Sequence, residues 1–263
     1  MRRTLFIALA FLLTRFAAAQ DLRSLVRQVV QNELLANQHD HSRWAYYDVD
    51  RKADGFVEQW VAETGDGDIH RILVQKGVHI SPSVQRTSMD HFIHDPAAQS
   101  RQRKSDEHDD RQSEELLKML PDAFIWTSVS SNGSILLLHF APDPSFSPPS
   151  WAARVFEAME GSLHVDKQQH RIISLQGRLA HNVHFCGGLC GSISSGGTFD
   201  VERREIAPST WQIVSTHVHI HGSVLFFKSI SQDEEDDKSH FQPLPENISL
   251  QQAETRLIDE SGF

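Results

Sequence analysis

The sequence predicts a mainly β, α+β fold built on an antiparallel sheet, and three observations predict it. Residues 163–165, 171–179, 198–201, 211–221 and 224–230 alternate apolar and polar side chains with a period of two. Each segment is short and bounded by Gly or a polar turn. The connections between them leave no room for a crossover helix, so neighbouring strands have to run antiparallel. On regular strands Leu163, Val165, Ile173, Leu175, Leu179, Phe199, Val201, Val214, Val218 and Ile220 fall on one face, with mostly His, Asp, Gln, Arg and Glu on the other. One face is then apolar and the other wet.

The elements follow in chain order. Arg2 and Arg3, an apolar run from Leu5 to Leu13, and Ala17-Ala-Ala19 read as a secretory signal peptide over residues 1–19, since the run is too short to span a bilayer. The exported chain, residues 20–263, is long enough to bury a full core and is expected to be one β-domain. It begins with Leu22, Leu25, Val26, Val29, Val30, Glu33 and Leu34, the spacing of a helix with one apolar stripe. Three strands are expected over 43–51, 56–63 and 69–76, with Asp54-Gly55 and Gly65-Asp-Gly67 as turns.

Residues 81–112 read as an exposed polar insertion, punctuated by Pro82 and Pro96 and helical only from about 107 to 120. Strands return over 123–129 and 135–140 around Asn132-Gly133, a type I′ turn signal. Four prolines between Ala141 and Ser150 forbid regular structure there, and Ser150 is placed to cap a short helix over 154–160. The run Asp233-Glu-Glu-Asp-Asp237 reads as an acidic loop, followed by a tail with a weak terminal helix from about residue 242.

Charge excludes one class of partner. Net charge is −10, and removal of a leader holding Arg2, Arg3 and Arg15 and no acid lowers it by three, to −13. Nucleic-acid affinity comes from Lys and Arg replacing phosphate counterions, so no nucleic acid is expected. Cys186 and Cys190 make no disulfide framework. In an oxidising compartment they can bond if Gly187-Gly188 folds the chain back; on an extended strand residues four apart lie about 13 Å apart, too far for a bridge.

The chain contains no HExxH, G-x-S-x-G, G-x-G-x-x-G or P-loop pattern, and Lys52 sits where a calcium loop starting at Asp48 needs an oxygen ligand. No enzymatic role and no cofactor are expected. His217-Val-His-Ile-His221 is the one metal-like motif. Histidines two apart on a strand share a face about 6.8 Å apart and can chelate one ion, although a zinc site needs further ligands from a neighbouring strand. With 16 histidines in the chain, a solvated histidine stripe is the competing reading.

The leading helix, the many antiparallel strands, and Met159-Glu-Gly-Ser-Leu-His-Val-Asp166 followed by Ile172-Ile-Ser-Leu-Gln-Gly-Arg-Leu179 resemble the LolA/LolB-like group of periplasmic lipoprotein-sorting proteins, and uncharacterised exported members more than the carriers themselves. The resemblance implies a strongly curved, incompletely closed antiparallel sheet, a half-barrel, with helices covering its concave face. It implies an exported, periplasmic, monomeric protein that holds an apolar ligand, an acyl chain, a lipid or a lipidated protein, with peripheral membrane contact. A curved sheet with an apolar concave face is either filled by its helices or open to a ligand. The alternatives are an envelope protein with a packed core and a histidine-based metal binder.

Overall fold

Among the described residues, strands form where the period-two alternation predicts them, and helices form where a proline or an apolar stripe starts one. The structure is a computed structural model that describes residues 3–53, 55–150, 152–185, 191–224 and 232–259, with residues 3–20, 185, 223, 224 and 232 described by backbone alone. The order is α1 (Arg3–His39), β1 (Arg43–Lys52), β2 (Gly55–Ala62), β3 (Ile69–Gln75), β4 (Val78–His79), α2 (Pro82–Ile93), α3 (Pro96–Ala123), β5 (Phe124–Asn132) and β6 (Ile135–Pro142). A 3-10 helix over Ala152–Glu157 leads into β7 (Met159–Asp166), β8 (Arg171–Leu179), β9 (Val183–Phe185), β10 (Gly191–Ile193), β11 (Thr198–Ala207), β12 (Thr210–Ile220), β13 (Gly222–Val224), β14 (Gln232–Leu244) and α4 (Leu250–Asp259). The fold class is the predicted one: mainly β with a few helices and antiparallel ladders that do not close into a barrel.

The chain divides into two compact units. The first holds Met1–Gln38, Glu114–Thr198 and His221–Ile230, and the second holds His39–Ser113, Phe199–Ile220 and Ser231–Phe263. In the first unit β5, β6, β7 and β8 are neighbours in that order, beside a small sheet ordered β13-β10-β9. The turn between β5 and β6 falls one residue beyond the predicted centre: Asn132 pairs with Ile135 as the last residue of β5, and Gly133, at φ +55°, and Ser134 make the turn, so it is not the type I′ turn expected at Asn132-Gly133. Ser150 caps the 3-10 helix, its Oγ accepting the Ala153 N–H at 3.3 Å.

Register sets the buried face of the first unit. Trp126 lies opposite Phe140, Leu138 opposite Leu163, Leu163 opposite Leu175, and Met159 opposite Leu179. Gly161 faces both Phe140 and Gly177, and a Cβ on Gly161 would run into the Gln176 carbonyl. Phe140 packs on Phe124 and Trp126, with ring centroids 4.7 and 5.6 Å apart. One expected position is corrected here. A bulge follows His164, so Val165 pairs with Ile172 and not with Ile173; Ile172 is buried and Ile173 is half-buried. A single extra residue reverses the parity of everything beyond it.

In the second unit the order is β4-β3-β2-β1-β14-β12-β11. Its helix-covered core joins Ala45, Trp60, Ala62 and Ile69 of the sheet to Met89 and Ile93 of α2 and to Leu250, Ala253 and Leu257 of α4. Arg71 links these layers, donating to Gln85 Oε1 at 2.9 Å and to the Leu257 carbonyl.

Two expectations are overturned in this unit. Residues 81–112, read as an irregular insertion, are α2 and most of α3. Pro82 and Pro96 start helices, because a proline at the first helical position loses only an N–H that has no intrahelical acceptor. Asp95 Oδ1 accepts the Ala97 and Ala98 N–H groups at 3.0 and 2.9 Å, which caps α3 and lowers the pKa of Asp95. The second correction concerns Asp233 to Asp237, read as a loop. They lie in β14, between β1 and β12, where Arg51 and Lys52 of β1 form ion pairs with Asp237 and Glu234, and His217 and His219 of β12 meet Asp237 and Asp233.

Candidate functional site

The apolar face of the first unit is assembled from four strands. Phe124, Trp126, Leu138, Phe140, Leu163, Val165 and Leu179 are all buried, and among the predicted lining residues Leu163 and Leu179 are 0 % and 2 % exposed. Leu175 is half-buried. α1 brings the predicted stripe to this unit, and Val26, Val29 and Val30 are buried. Three charged contacts anchor the helix: Arg23 to Asp143 at 2.7 Å, Arg27 to Asp122 at 2.7 Å, and Glu33 to Arg171 at 2.9 Å. The last is the interior one. Glu33 is 1 % exposed, and its second oxygen accepts the Ile172 N–H at 2.7 Å at the start of β8. That carboxylate therefore meets a guanidinium and a backbone donor at once, which offsets the cost of burying it.

The remaining predicted lining residues belong to the second unit. Val214 is buried, while Phe199, Val201, Val218 and Ile220 are half-buried. Val218 and Ile220 do share a face, as predicted, but Val218 lies opposite Glu234, so the face continues into β14 as a charged surface.

That charged surface is the feature the sequence reading missed. β1 carries Asp48, Asp50 and Lys52 on one face, and β14 carries Glu234, Asp236 and Lys238 in antiparallel register with them. Asp48 lies opposite Lys238, Asp50 opposite Asp236, and Lys52 opposite Glu234. Lys52 bridges Asp50 at 2.7 Å and Glu234 at 3.2 Å. Lys238 lies 3.3 Å from Asp236 and 5.5 Å over the Tyr46 ring. The signal was present as two period-two patterns of acid, acid, lysine, but it can be read only once both segments are known to be strands.

A polar relay leaves this ladder. Gln59 Nε2 donates to Asp48 Oδ2 at 2.6 Å, and Gln59 Oε1 meets His70 Nδ1 at 3.2 Å. Gln102 Nε2 of α3 meets His70 Nε2 at 3.3 Å, while Gln102 Oε1 accepts the Asp68 N–H at 2.8 Å. These roles agree if His70 is neutral with its proton on Nδ1, and burial lowers its pKa accordingly. Burial raises the carboxyls nearby. Asp48 is pushed up to about 7 by desolvation and then by its hydrogen bond to Asp236. Glu63 rises to about 7 through desolvation and the charge of Asp68, and Asp68 to about 6 through desolvation and the charge of Asp106. Tyr46 is raised well above its usual value by burial and by the same acids.

The predicted histidines lie on the opposite face of β12. His217 lies opposite Glu235 and His219 opposite Asp233. His217 Nε2 is 3.1 Å from Asp237 Oδ1 and 3.2 Å from Ser215 Oγ. Because Ser215 and Asp237 both meet the same ring nitrogen, the trio lacks the relay of a hydrolase triad, in which base and orienting acid use opposite nitrogens. His219 Nδ1 is 3.2 Å from Asp233, and His221 is exposed beyond the end of β12. Among the described residues no three His, Cys, Asp or Glu side chains gather in a geometry that could hold a metal ion. Cys186 and Cys190 lie outside the described residues, as does most of the strand predicted over 224–230. An open cleft of about 690 Å³ lies at α4, lined by Glu246, Asn247, Ile248, Gln252, Arg256 and Asp259 among others, and it shares no residue with the predicted lining.

Among the described residues no helix is long and apolar enough to cross a membrane. No family model, no curated protein and no solved structure matches this chain. The class it can be given is therefore that of its fold, an open antiparallel α+β protein.

Proposed function

We propose that this is an exported, non-enzymatic protein that holds an apolar ligand, an acyl chain or a lipidated partner, against the sheet face of its first unit, with α1 as the displaceable cover. The observation that carries the reading is the chemistry of that face. Four strands present aromatic and aliphatic side chains, and the helix that meets the unit does so through a narrow stripe, Val26, Val29 and Val30, plus charged anchors. A ligand chain replaces one apolar surface with another, so the exchange costs little transfer free energy beyond release of the anchors. The resemblance to the LolA/LolB-like group points the same way and implies export to the periplasm.

Saturable binding of fatty acids to the purified protein tests this. Each buried methylene contributes about 0.8 kcal/mol, so two more carbons should tighten binding roughly ten-fold until the face is covered. Absence of any chain-length dependence would refute the carrier reading. The second reading, an envelope protein with a permanently packed core, is favoured by the complete burial of Leu163 and Val165. Leu163→Trp separates the two: a face that opens accepts the bulk and loses ligand, whereas a fixed core loses about 1–3 kcal/mol of stability. For export, mass spectrometry of the secreted protein should find its first residue at or next to Gln20; a secreted form that retains Met1 would exclude the leader.

A further inference from the structure

No side chain of α3 between Pro96 and Ser113 is buried; the buried ones, Leu120, Pro121 and Ala123, lie at its far end. Polar contacts tie this first stretch to the sheet. Gln102 clamps the turn between β2 and β3, its Oε1 accepting the Asp68 N–H at 2.8 Å and its Nε2 donating to the Asp68 carbonyl at 3.2 Å. Arg103 donates to the Asp66 carbonyl at 2.6 Å. The clamp fits because the turn has Gly67, at φ +122°, where a Cβ would run into Gln102 Oε1.

These contacts fix the histidine behind the clamp. The Asp68 backbone orients Gln102 with its NH2 toward His70 Nε2, 3.3 Å away, so Nε2 has to accept. Gln59 donates to Asp48 Oδ2 at 2.6 Å, which turns its Oε1 toward His70 Nδ1 at 3.2 Å, so Nδ1 has to donate. A neutral ring satisfies both neighbours, whereas an imidazolium sets a donor against the Gln102 donor.

We propose that His70 is an acid-released latch for the first half of α3, which stays docked while the ring is neutral and is let go when a proton on Nε2 replaces the acceptor that Gln102 needs. The charged and titratable groups around the ring come from five elements and the segment between β2 and β3. Asp68 precedes His70 by two residues, and Glu63 lies on the same side just beyond β2. Asp48 and Tyr46 come from β1, Arg103 and Asp106 from α3, and Lys238 of β14 and Arg43 act at longer range. Asp48, Glu63 and Asp68 have raised pKa values and take up protons in the same range, so they bring no lasting negative charge to hold an imidazolium. Burial, and then Lys238, lower the pKa of His70 itself. The latch is therefore complete above the ordinary histidine value, about pH 6.5, and weakens as pH falls through it toward the lower folded value.

Amide exchange of the full chain at about pH 5 and about pH 7.5, corrected for the intrinsic rate, tests this. Amides of residues 100–113 should exchange faster in acid, by roughly ten-fold for each unit by which the fold lowers the His70 pKa. In Gln102→Glu a carboxylate replaces the NH2 and accepts from an imidazolium, so the same amides should be better protected at the lower pH. A structural glutamine with no link to His70 would not reverse that sign. Equal protection of the parent at both pH values, or a Gln102→Glu variant that keeps the sign of the parent, overturns the proposal. Should Gln102→Glu fail to fold, ring-nitrogen NMR of the parent decides. A proton on Nδ1 at the higher pH, with His70 titrating together with the loss of protection in α3, upholds the latch; a proton on Nε2, or a titration that leaves α3 protected, overturns it.

Discussion

The two units bury polar groups by opposite means. In the first, Glu33 is the deepest acid, and a guanidinium and a backbone N–H meet it directly. In the second, burial pushes Asp48 and Glu63 up to about 7 and Asp68 up to about 6, which brings their protonation close to neutral pH. One unit neutralises buried charge with opposite charge, the other with protonation. The second solution responds to pH near neutrality, which teaches that acidity of a sequence predicts little until the partners of each acid are known.

Removing the matched partner should show the largest effect. Glu33→Ala leaves the Arg171 guanidinium and the Ile172 N–H without that carboxylate, and should destabilise the first unit by about 3–5 kcal/mol in denaturant titration. Exchanging both members for apolar residues, Glu33→Leu with Arg171→Met, should cost markedly less than the single change, because no charge is left buried. A double variant as unstable as Glu33→Ala would mean that the pair does more than satisfy itself.

Trimming apolar side chains should distinguish the units less. Trp126→Ala in the first and Met89→Ala in the second should cost about 3–5 and 2–5 kcal/mol, since both are almost fully buried. Fluorescence and amide exchange should each localise the loss to the unit that carries the change.

Acidity should then sharpen the contrast. In the second unit the folded-state pKa values of Asp48, Glu63 and Asp68 lie above those of an unfolded chain, so the folded state holds more protons. Their contribution is complete below the ordinary carboxylate range near pH 4 and is lost as pH rises through 6 to 7. Each such carboxyl makes unfolding easier by roughly 1.4 kcal/mol per pH unit while it titrates. In the first unit Asp143 has the opposite sign. Hydrogen bonds from Ser145 and then Arg23 lower its pKa, so its contribution is present at neutral pH and lost as pH falls through the folded value. Amide exchange followed from pH 5 to pH 8 should therefore speed up in β1, β2 and β14 beyond the intrinsic base-catalysed rise, and not in β7 and β8. Equal acceleration in both sets would contradict the assignment.

The smallest effect should come from the exposed anchor of α1. Arg27 and Asp122 are about half exposed, and Arg27→Ala should change stability by no more than about 1 kcal/mol. A larger loss would mean that α1 is held by its rim and not by its stripe.

Local pattern alone determined most of the strands. Alternation placed β1 to β3, β5 to β8 and β12 within a few residues of their ends, and Gly133 marked the turn after β5 to within one residue, because pleat and turn chemistry depend only on near neighbours. The stripe of α1 was legible for the same reason. Only the tertiary structure decided the rest. Five consecutive acids read as a loop until β1 and β12 supply Lys52, Arg51, His217 and His219 beside them. The bulge that exchanges Ile172 for Ile173 is invisible in one strand, since it exists only as a mismatch between two. Asp50 and Asp236 stand 186 positions apart in the chain, yet their strands are neighbours and the register sets them opposite each other. Sequence period fixes which face a side chain takes, but the charge it meets there belongs to another strand, and register is a property of the folded chain.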